Sequence, residues 1–245
     1  MIDLHSHVLP GIDDGPRSLD GSLEMLRDAR ADGITRLAAT PHVRADWPTA
    51  PETMERLVAA LREHDTGVEV LPGGELDLAY LETLADDDLR RFGLGGNPQL
   101  LLVEFPYTGW PMRLRDVLFR LGVRGYRIVL AHPERNREIQ EQPELLREIV
   151  DAGVFVQLTA ASVDGRLGRG PAAAARALLR EGLAHLLASD AHAPSIRAIG
   201  MSNAAAAVGD DALARWLTHD VPEALVAGGE PPRRPATRRR GFFRR

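Results

Sequence analysis

The sequence predicts an α/β protein whose parallel strands curl into a closed or nearly closed barrel. Three observations carry that expectation. Seven short apolar strands alternate with helical segments along the chain, the order in which parallel sheets are built. Most of these strands run directly into a His, Asp or Glu, and in α/β barrels the reacting groups sit where strands end. The length, 245 residues, is one that a single barrel commonly fills. An open, doubly wound sheet is the alternative.

The elements follow in order. Met1 to His5 reads as the first strand, and His5 and His7, two residues apart, project to one face. Ser18 is a candidate N-cap for a helix whose face carries Leu19, Leu23, Leu26 and Arg30 and which Asp32-Gly33 ends. Ile34 to Thr40 is a second strand, with Pro41-His42 after it. Pro51 opens a helix to about His64, with Met54, Leu57, Val58 and Leu61 on its apolar side. Val68 to Leu76 is a third strand, interrupted by Pro72-Gly73-Gly74 and carrying Glu75. Leu81 to Pro98 reads as irregular. Leu100 to Phe105 is a fourth strand with Glu104 near its end, and Arg113 to Leu121 is helical. Tyr126 to Ala131 is a fifth strand, running into His132. Pro143 opens a helix that Gly153 ends, and Val154 to Leu158 is a sixth strand. An Ala-rich helix from Pro171 to Gly182 precedes a seventh strand, Ala184 to Ser189, and then Asp190-Ala191-His192. Helical segments complete the body to about Ala227. Residues 1–228 thus read as one domain, and 229–245, rich in Pro, Gly and Arg, as a basic, disordered tail.

Composition narrows the function. The net charge of −5 gives the body no basic field for nucleic acid. The absence of cysteine removes disulfides, thiolate ligands and cysteine nucleophiles. No G-x-G-x-x-G or Walker A motif is present. No apolar run is long enough to span a membrane, and the first residues form a strand instead of a signal-peptide pattern. The expected location is cytoplasmic.

The strand ends carry the chemistry. His5, His7, His42, Glu75, Glu104, His132, Asp190 and His192 all lie at or just after a strand, and Asp14 lies on the first loop. Together they are nine N and O donors, too many for one ion. Imidazole with carboxylate and no sulfur suits Mn²⁺, Fe²⁺ or Zn²⁺. A bridging carboxylate would put two ions about 3.5–4 Å apart, the spacing used in phosphoester hydrolysis. Arg135, three residues after His132, and Arg197, seven after Asp190, are candidates for bidentate recognition of a phosphate or carboxylate. His64, His185 and His219 follow no strand and read as structural or surface residues. Asp13 reads as shaping the Gly11 to Gly15 turn, Asp77 as second choice to Glu75, and Asp3 as a group that orients a ligand histidine.

The motifs D-L-H-S-H, G-I-D-D-G, T-P-H, G-E-L, L-V-E-F, A-H-P-E-R and S-D-A-H resemble the PHP superfamily, named for polymerase and histidinol phosphatase. Their order and spacing are most similar to the bacterial manganese-dependent tyrosine phosphatases of capsule and exopolysaccharide loci. The resemblance runs from Met1 to about Gly228. It implies a distorted (β/α)₇, TIM-like barrel with up to three divalent ions, Mn²⁺ first and Fe²⁺ or Zn²⁺ as alternatives. It implies that His5, His7, Glu75 and Asp190 hold one ion, that Glu75, Glu104 and His132 hold a second with Glu75 bridging, and that Asp14, His42 and His192 hold the third. Arg135 and Arg197 match the phosphate-contacting arginines. The implied substrate is phosphotyrosine in the tail of a membrane-linked bacterial tyrosine kinase, hydrolysed by a metal-bridging hydroxide. One departure touches the site: the family's Q-x-N after the sixth strand is Gln157-Leu158-Thr159 here. A second, Val221-Pro222 in place of Asn-Pro, concerns helix capping.

Two rival readings remain at this stage. One is a PHP-type phosphatase of a small phosphate monoester such as histidinol phosphate, or a nuclease, which the acidic body disfavours. The other is a regulator that binds phosphotyrosine without hydrolysing it. The tail from Arg233 to Arg245 carries seven arginines and no acid. It is a candidate for an anionic membrane surface, which would place the protein peripherally at the inner face of the membrane.

Overall fold

Seven staves form a ring, and two of them are broken in the middle. The computed structural model describes residues 1–193 and 197–236. Within these are ten strands: β1 Ile2–Ser6, β2 Arg36–Ala39, β3 His42–Arg44, β4 Trp47–Pro48, β5 Glu69–Pro72, β6 Glu75–Asp77, β7 Leu100–Glu104, β8 Arg127–Leu130, β9 Phe155–Thr159 and β10 Leu186–Ala188. One parallel sheet has the order β1-β2-β5, and a second has the order β10-β9-β8-β7-β6-β3-β4. Chain continuity joins β2 to β3 and β5 to β6, so each pair is one stave whose lower half lies in the first sheet and upper half in the second. The ring closes where β1 meets the end of β10, through a parallel bridge between Ser6 and Ala191. This is the distorted (β/α)₇ barrel of the sequence reading, and among the described strands the short β3–β4 hairpin alone is antiparallel.

The break after Pro72 is the interruption that the sequence reading placed in its third strand, whereas the second stave, read as ending at Thr40, continues beyond Pro41. Proline has no N–H to give to a ladder, and the first break falls at Pro41 and the second just after Pro72. The ladder resumes with His42 paired to Glu75. His42 therefore opens its own strand instead of sitting on a loop. The second bend presses against Phe92: a Cβ on Gly74 would lie 2.7 Å from that buried ring, so only glycine fits.

Apolar staves meet apolar helix faces around the ring. All five residues of β7 are buried, as expected for a strand covered on both sides. Ser18 caps the Leu19–Ala31 helix by accepting from the Gly21 amide, and Leu23, Met25 and Leu26 face inward. Pro51 starts the next helix, Pro51–Arg62, at its first turn. The stretch expected to be irregular holds a helix, Asp86–Arg91, with three aspartates in its first turn and two arginines in its last. That charge order complements the helix dipole, and its acidity was the feature that disguised it. A helix that the periodicity did not indicate, Arg137–Glu141, is capped by Asn136, whose side chain accepts from the Glu138 and Ile139 amides. The expected helix after Pro143 begins as a 3₁₀ turn and becomes α-helical only over Arg147–Asp151. The Ala-rich helix starts at Arg169, with Pro171 inside its first turn.

The described part of the basic tail lies against the body without regular structure. Trp216 donates its indole N–H to the Pro232 carbonyl at 2.8 Å, Arg127 donates to the Gly229 carbonyl, and Arg234 donates to the Leu179 carbonyl at 2.6 Å. Gly229, Pro232 and Arg234, which the sequence reading placed in a disordered tail, are thus hydrogen-bonded to the body. Thr237 to Arg245, with Phe242, Phe243 and five of the tail's arginines, lie outside the described residues. Among the described residues no helix is long and apolar enough to cross a membrane.

Candidate metal centre

All nine donors named from the sequence converge at the upper rim of the ring. They form four groups whose ligand atoms lie within 4.8 Å of one another: His5–His7–Glu75, His5–His132–Asp190, His42–Glu75–Glu104, and His7–Asp14–His42–His192. Every member is buried except Asp14, which lies at the mouth. Glu75 is central. Its Oε1 is 3.3 Å from His5 Nε2 and 2.8 Å from His132 Nε2, and its Oε2 is 3.3 Å from His7 Nε2 and 2.8 Å from His42 Nδ1.

Local geometry explains how so many donors reach one place. The turn after β1 folds back so tightly that a Cβ on Gly15 would lie 2.2 Å from the His7 carbonyl oxygen. That approach brings Asp14 beside His192, with Oδ1 3.1 Å from Nε2. His132 and Asp190 have φ of 30° and 50°, the only non-glycine positive values among the described residues. Such backbone costs about 1–3 kcal/mol each and concentrates at functional sites. Here it turns each side chain sharply inward just as its strand ends.

The ring nitrogens that face away from the cluster are held in turn. Asp13 Oδ2 lies 2.7 Å from His7 Nδ1 and also accepts from the His42 amide, while Oδ1 accepts from the Gly15 amide. Gln157 Oε1 lies 3.0 Å from His5 Nδ1. His192 Nδ1 lies 2.9 Å from the Asp190 carbonyl. With a proton on each of these nitrogens, Nε2 of His5, His7 and His192 presents a lone pair to the centre. The sequence reading had Asp3 in the orienting role and Asp13 in the turn. Asp13 does both tasks, whereas Asp3 accepts from the His5 and Ser189 amides and so holds backbone. Asp77 caps the following turn through the Ala79 and Tyr80 amides.

Charge is balanced within the cluster. Burial alone would raise the Glu75 pKa, but His5, His132 and His42 hold its carboxyl well below the usual carboxylate range. Glu104 is pushed up, by burial and then by the neighbouring Glu75 charge. Burial depresses His192 to about 4, with the charge of His7 adding to the effect. The donor set fits divalent cations on its own geometry. His42 Nδ1 and Glu75 Oε2 are buried and 2.8 Å apart, yet neither has a hydrogen-bond partner. Two lone-pair donors facing each other in this way are satisfied by a shared cation.

Arginines border the mouth. Arg135 donates to Asp190 Oδ2 at 2.6 Å. Arg197 donates to Asp14 Oδ2 at 3.0 Å and contacts His192 Nε2. Two rim residues escaped the sequence reading. Arg44, on β3, lies 3.7 Å from Glu104 Oε2. Tyr107 stacks against Arg135, whose guanidinium carbon is 4.6 Å from the ring centroid. No periodic or strand-end signal marks either. The remaining histidines are apart from the centre: His64 is exposed, His185 Nδ1 accepts from the Val156 amide, and His219 pairs with Asp220.

Comparison with known proteins agrees with this geometry. The family model for capsular polysaccharide synthesis proteins CpsB/CapC matches residues 1–225. The tyrosine-protein phosphatase YwqE of Bacillus subtilis is 38% identical over 197 residues, covering 78% of this chain and 77% of that protein. The putative tyrosine-protein phosphatase CapC of Staphylococcus aureus is 29% identical over 199 residues, with 78% and 77% covered. Among solved structures, one of the metal-dependent tyrosine phosphatases YwqE from Bacillus subtilis and CpsB from Streptococcus pneumoniae superposes with a TM-score of 0.80 at 32% identity, over 97% of this chain and 100% of that one. A lactonase from Listeria monocytogenes, with a TM-score of 0.57 and 14% identity, shares the fold alone. With a full-length ring, its rim of nine N and O donors and the family match in agreement, this chain belongs to the CpsB/CapC family of capsular polysaccharide synthesis proteins.

Proposed function

We propose that this protein is a divalent-metal-dependent phosphatase acting on phosphotyrosine in the tail of a membrane-linked bacterial tyrosine kinase that controls polysaccharide export, with Mn²⁺ as the working metal. The observation that carries the reading is the convergence of nine buried or rim donors with two arginines beside them. In this reading His5, His7, Glu75 and Asp190 hold one ion, Glu75, Glu104 and His132 a second, and Asp14, His42 and His192 a third. Bound divalent ions supply a hydroxide nucleophile at neutral pH and neutralise phosphate oxygens. The chain's own part is placement. Asp13, Gln157 and the Asp190 carbonyl fix the imidazole tautomers. Arg135 and Arg197, each already on a carboxylate, present the same forked donors to a phosphate and balance the charge that develops on it. A phenolate leaving group, with a pKa near 10, departs with less help than an alkoxide.

The test is turnover of a phosphotyrosine peptide, histidinol phosphate and single-stranded DNA by protein stripped with chelator and reloaded with Mn²⁺, Fe²⁺ or Zn²⁺. The reading expects no turnover when stripped, recovery with Mn²⁺, and the peptide as best substrate. Full turnover after stripping refutes it. A preference for histidinol phosphate selects the small-ester reading, and tight peptide binding without hydrolysis selects the regulator. For the tail, a cytoplasmic protein drawn to the inner face of the membrane should co-sediment with anionic vesicles in a salt-sensitive way, and a chain ending at Ala236 should not.

A further inference from the structure

Tyr107 is an aromatic ring at the mouth of the centre that stays partly open. It is 40% exposed, although its ring centroid is 5.7 Å from that of His132 and 4.6 Å from the Arg135 guanidinium carbon. Its loop does not swing freely. Asn136 donates to the Pro106 and Gly109 carbonyls at 2.8 and 3.1 Å, and the Arg137 amide donates to the Tyr107 carbonyl at 3.0 Å. Phe105 and Trp110 pack edge to face, 6.2 Å between centroids, at the base of the same loop. The ring is therefore held between the arginine assigned to phosphate and an imidazole of the centre, with surface left over.

From these contacts we infer that Tyr107 forms the leaving-group subsite, taking the aryl ring of the substrate against its exposed surface. The inference rests on the phosphatase reading above and adds the residue that would meet the aryl ring of its substrate. A phosphate bound at Arg135 directs its ester oxygen outward past Tyr107. An aryl ester places a flat ring there, which stacks offset or edge to face at centroid separations of about 4.5–7 Å. An alkyl ester of serine, threonine or glycerol has no ring to offer. Because the loop is pinned before substrate arrives, little ordering is needed on binding. Tyr107 is thus a specificity residue that is not itself a metal donor, although its side chain also hydrogen-bonds the donor Glu104.

The experiment uses the full chain loaded with Mn²⁺ and two non-hydrolysable inhibitors, phenylphosphonate and methylphosphonate. Their ratio of inhibition constants reads ring contact independently of leaving-group pKa. Tyr107→Leu should shrink the phenyl advantage by about two- to tenfold, the worth of one aromatic pair, through weaker phenylphosphonate binding. Tyr107→Phe, which keeps the ring, should retain the advantage. Metal content is measured in each variant. A Tyr107→Leu protein with normal metal content and an unchanged ratio overturns the inference, as does an equal loss for both inhibitors, which would mean that Tyr107 only props Arg135. Failure of the phosphatase reading would look different: the unsubstituted protein would hydrolyse no phosphate ester in any metal.

Discussion

Asp13 offers the sharpest test of how the centre is built, because it touches ligands without being assigned as one. Its carboxylate is fully buried beside His7 and makes three contacts: to His7 Nδ1 at 2.7 Å, to the His42 amide at 3.1 Å and to the Gly15 amide at 3.0 Å. With the proton held on Nδ1, His7 Nε2 keeps its lone pair toward Glu75 Oε2 and Asp190 Oδ1, at 3.3 and 3.5 Å. Asp13→Ala removes the lock and leaves His7 free to carry its proton on the wrong nitrogen. Losing such an orienting partner typically costs 10–100-fold in metal affinity, about 1.4–2.7 kcal/mol. Asp13→Asn keeps an oxygen for His7 and His42 but gives up the negative charge and the Gly15 contact, so it should fall at the lower end of that range. Leaving buried donors unpaired costs about 1–3 kcal/mol of stability, which lowers Tm by roughly 2–12 °C in a chain of this size. The assay is phosphatase activity against Mn²⁺ concentration. The midpoint should move up 10–100-fold in Asp13→Ala, with kcat at saturating metal within about threefold of normal. A midpoint within twofold of the unsubstituted protein would refute the tautomer argument.

Three further outcomes follow from the same contacts. Glu75→Ala should be among the most damaging changes, with loss of more than one ion by elemental analysis, because four imidazoles lie within 3.3 Å of this carboxylate; near-normal metal content and kcat would contradict its bridging role. Arg197→Ala should impair turnover about 10²-fold or more with metal content intact, as for other transition-state charge donors, and loss of metal in that variant would mark the arginine as structural. His185, depressed to about 4 by burial and then by Arg234, stays neutral in the fold. Its folded pKa lies below the unfolded value of 6.5, so its contribution is complete above about pH 6.5 and is lost as pH falls toward 4. At pH 5 the penalty is at most about 2 kcal/mol, and His185→Gln, compared at equal metal loading, should show a correspondingly smaller drop in stability between pH 7.5 and 5.

The strand-end donors were legible because of what they must do. A group that works at the C-terminal face of a barrel has to follow a strand, so a run such as Tyr126 to Ala131 points at His132 without any contact information. The groups that steady those donors leave no comparable trace. Asp3 and Asp13 both lie near His5 and His7 in sequence, and only the turn at Gly15 decides which carboxylate meets a ring and which meets backbone. Gln157 reaches His5 past β10 from β9, and Tyr107 meets Arg135 from a different loop. Neither pairing has a period or a spacing. The split staves were half visible: Pro72-Gly73-Gly74 announced one break, whereas Pro41 looked like the end of a strand, and the pairing of His42 with Glu75 shows that the stave continues.

The ring has an uneven rim, and its closure is the thin place. Among the described residues, the backbone bonds between β1 and the end of β10 are Asp190 N–H to the His5 carbonyl and His7 N–H to the Ala191 carbonyl, at 2.8 and 2.9 Å, with side-chain bonds from the Ser189 amide to Asp3 and from Ser189 Oγ to the His5 carbonyl. His5 and His7 stand on one bank of that seam, and Asp190 and His192 on the other. A cation gripped from both banks acts as a rivet through the two ends of a hoop: it resists the parting of the first and last staves. The same donors that would carry the chemistry would thereby fasten the beginning of the described fold to its last strand, so that metal supply and mechanical integrity of the barrel would become one variable.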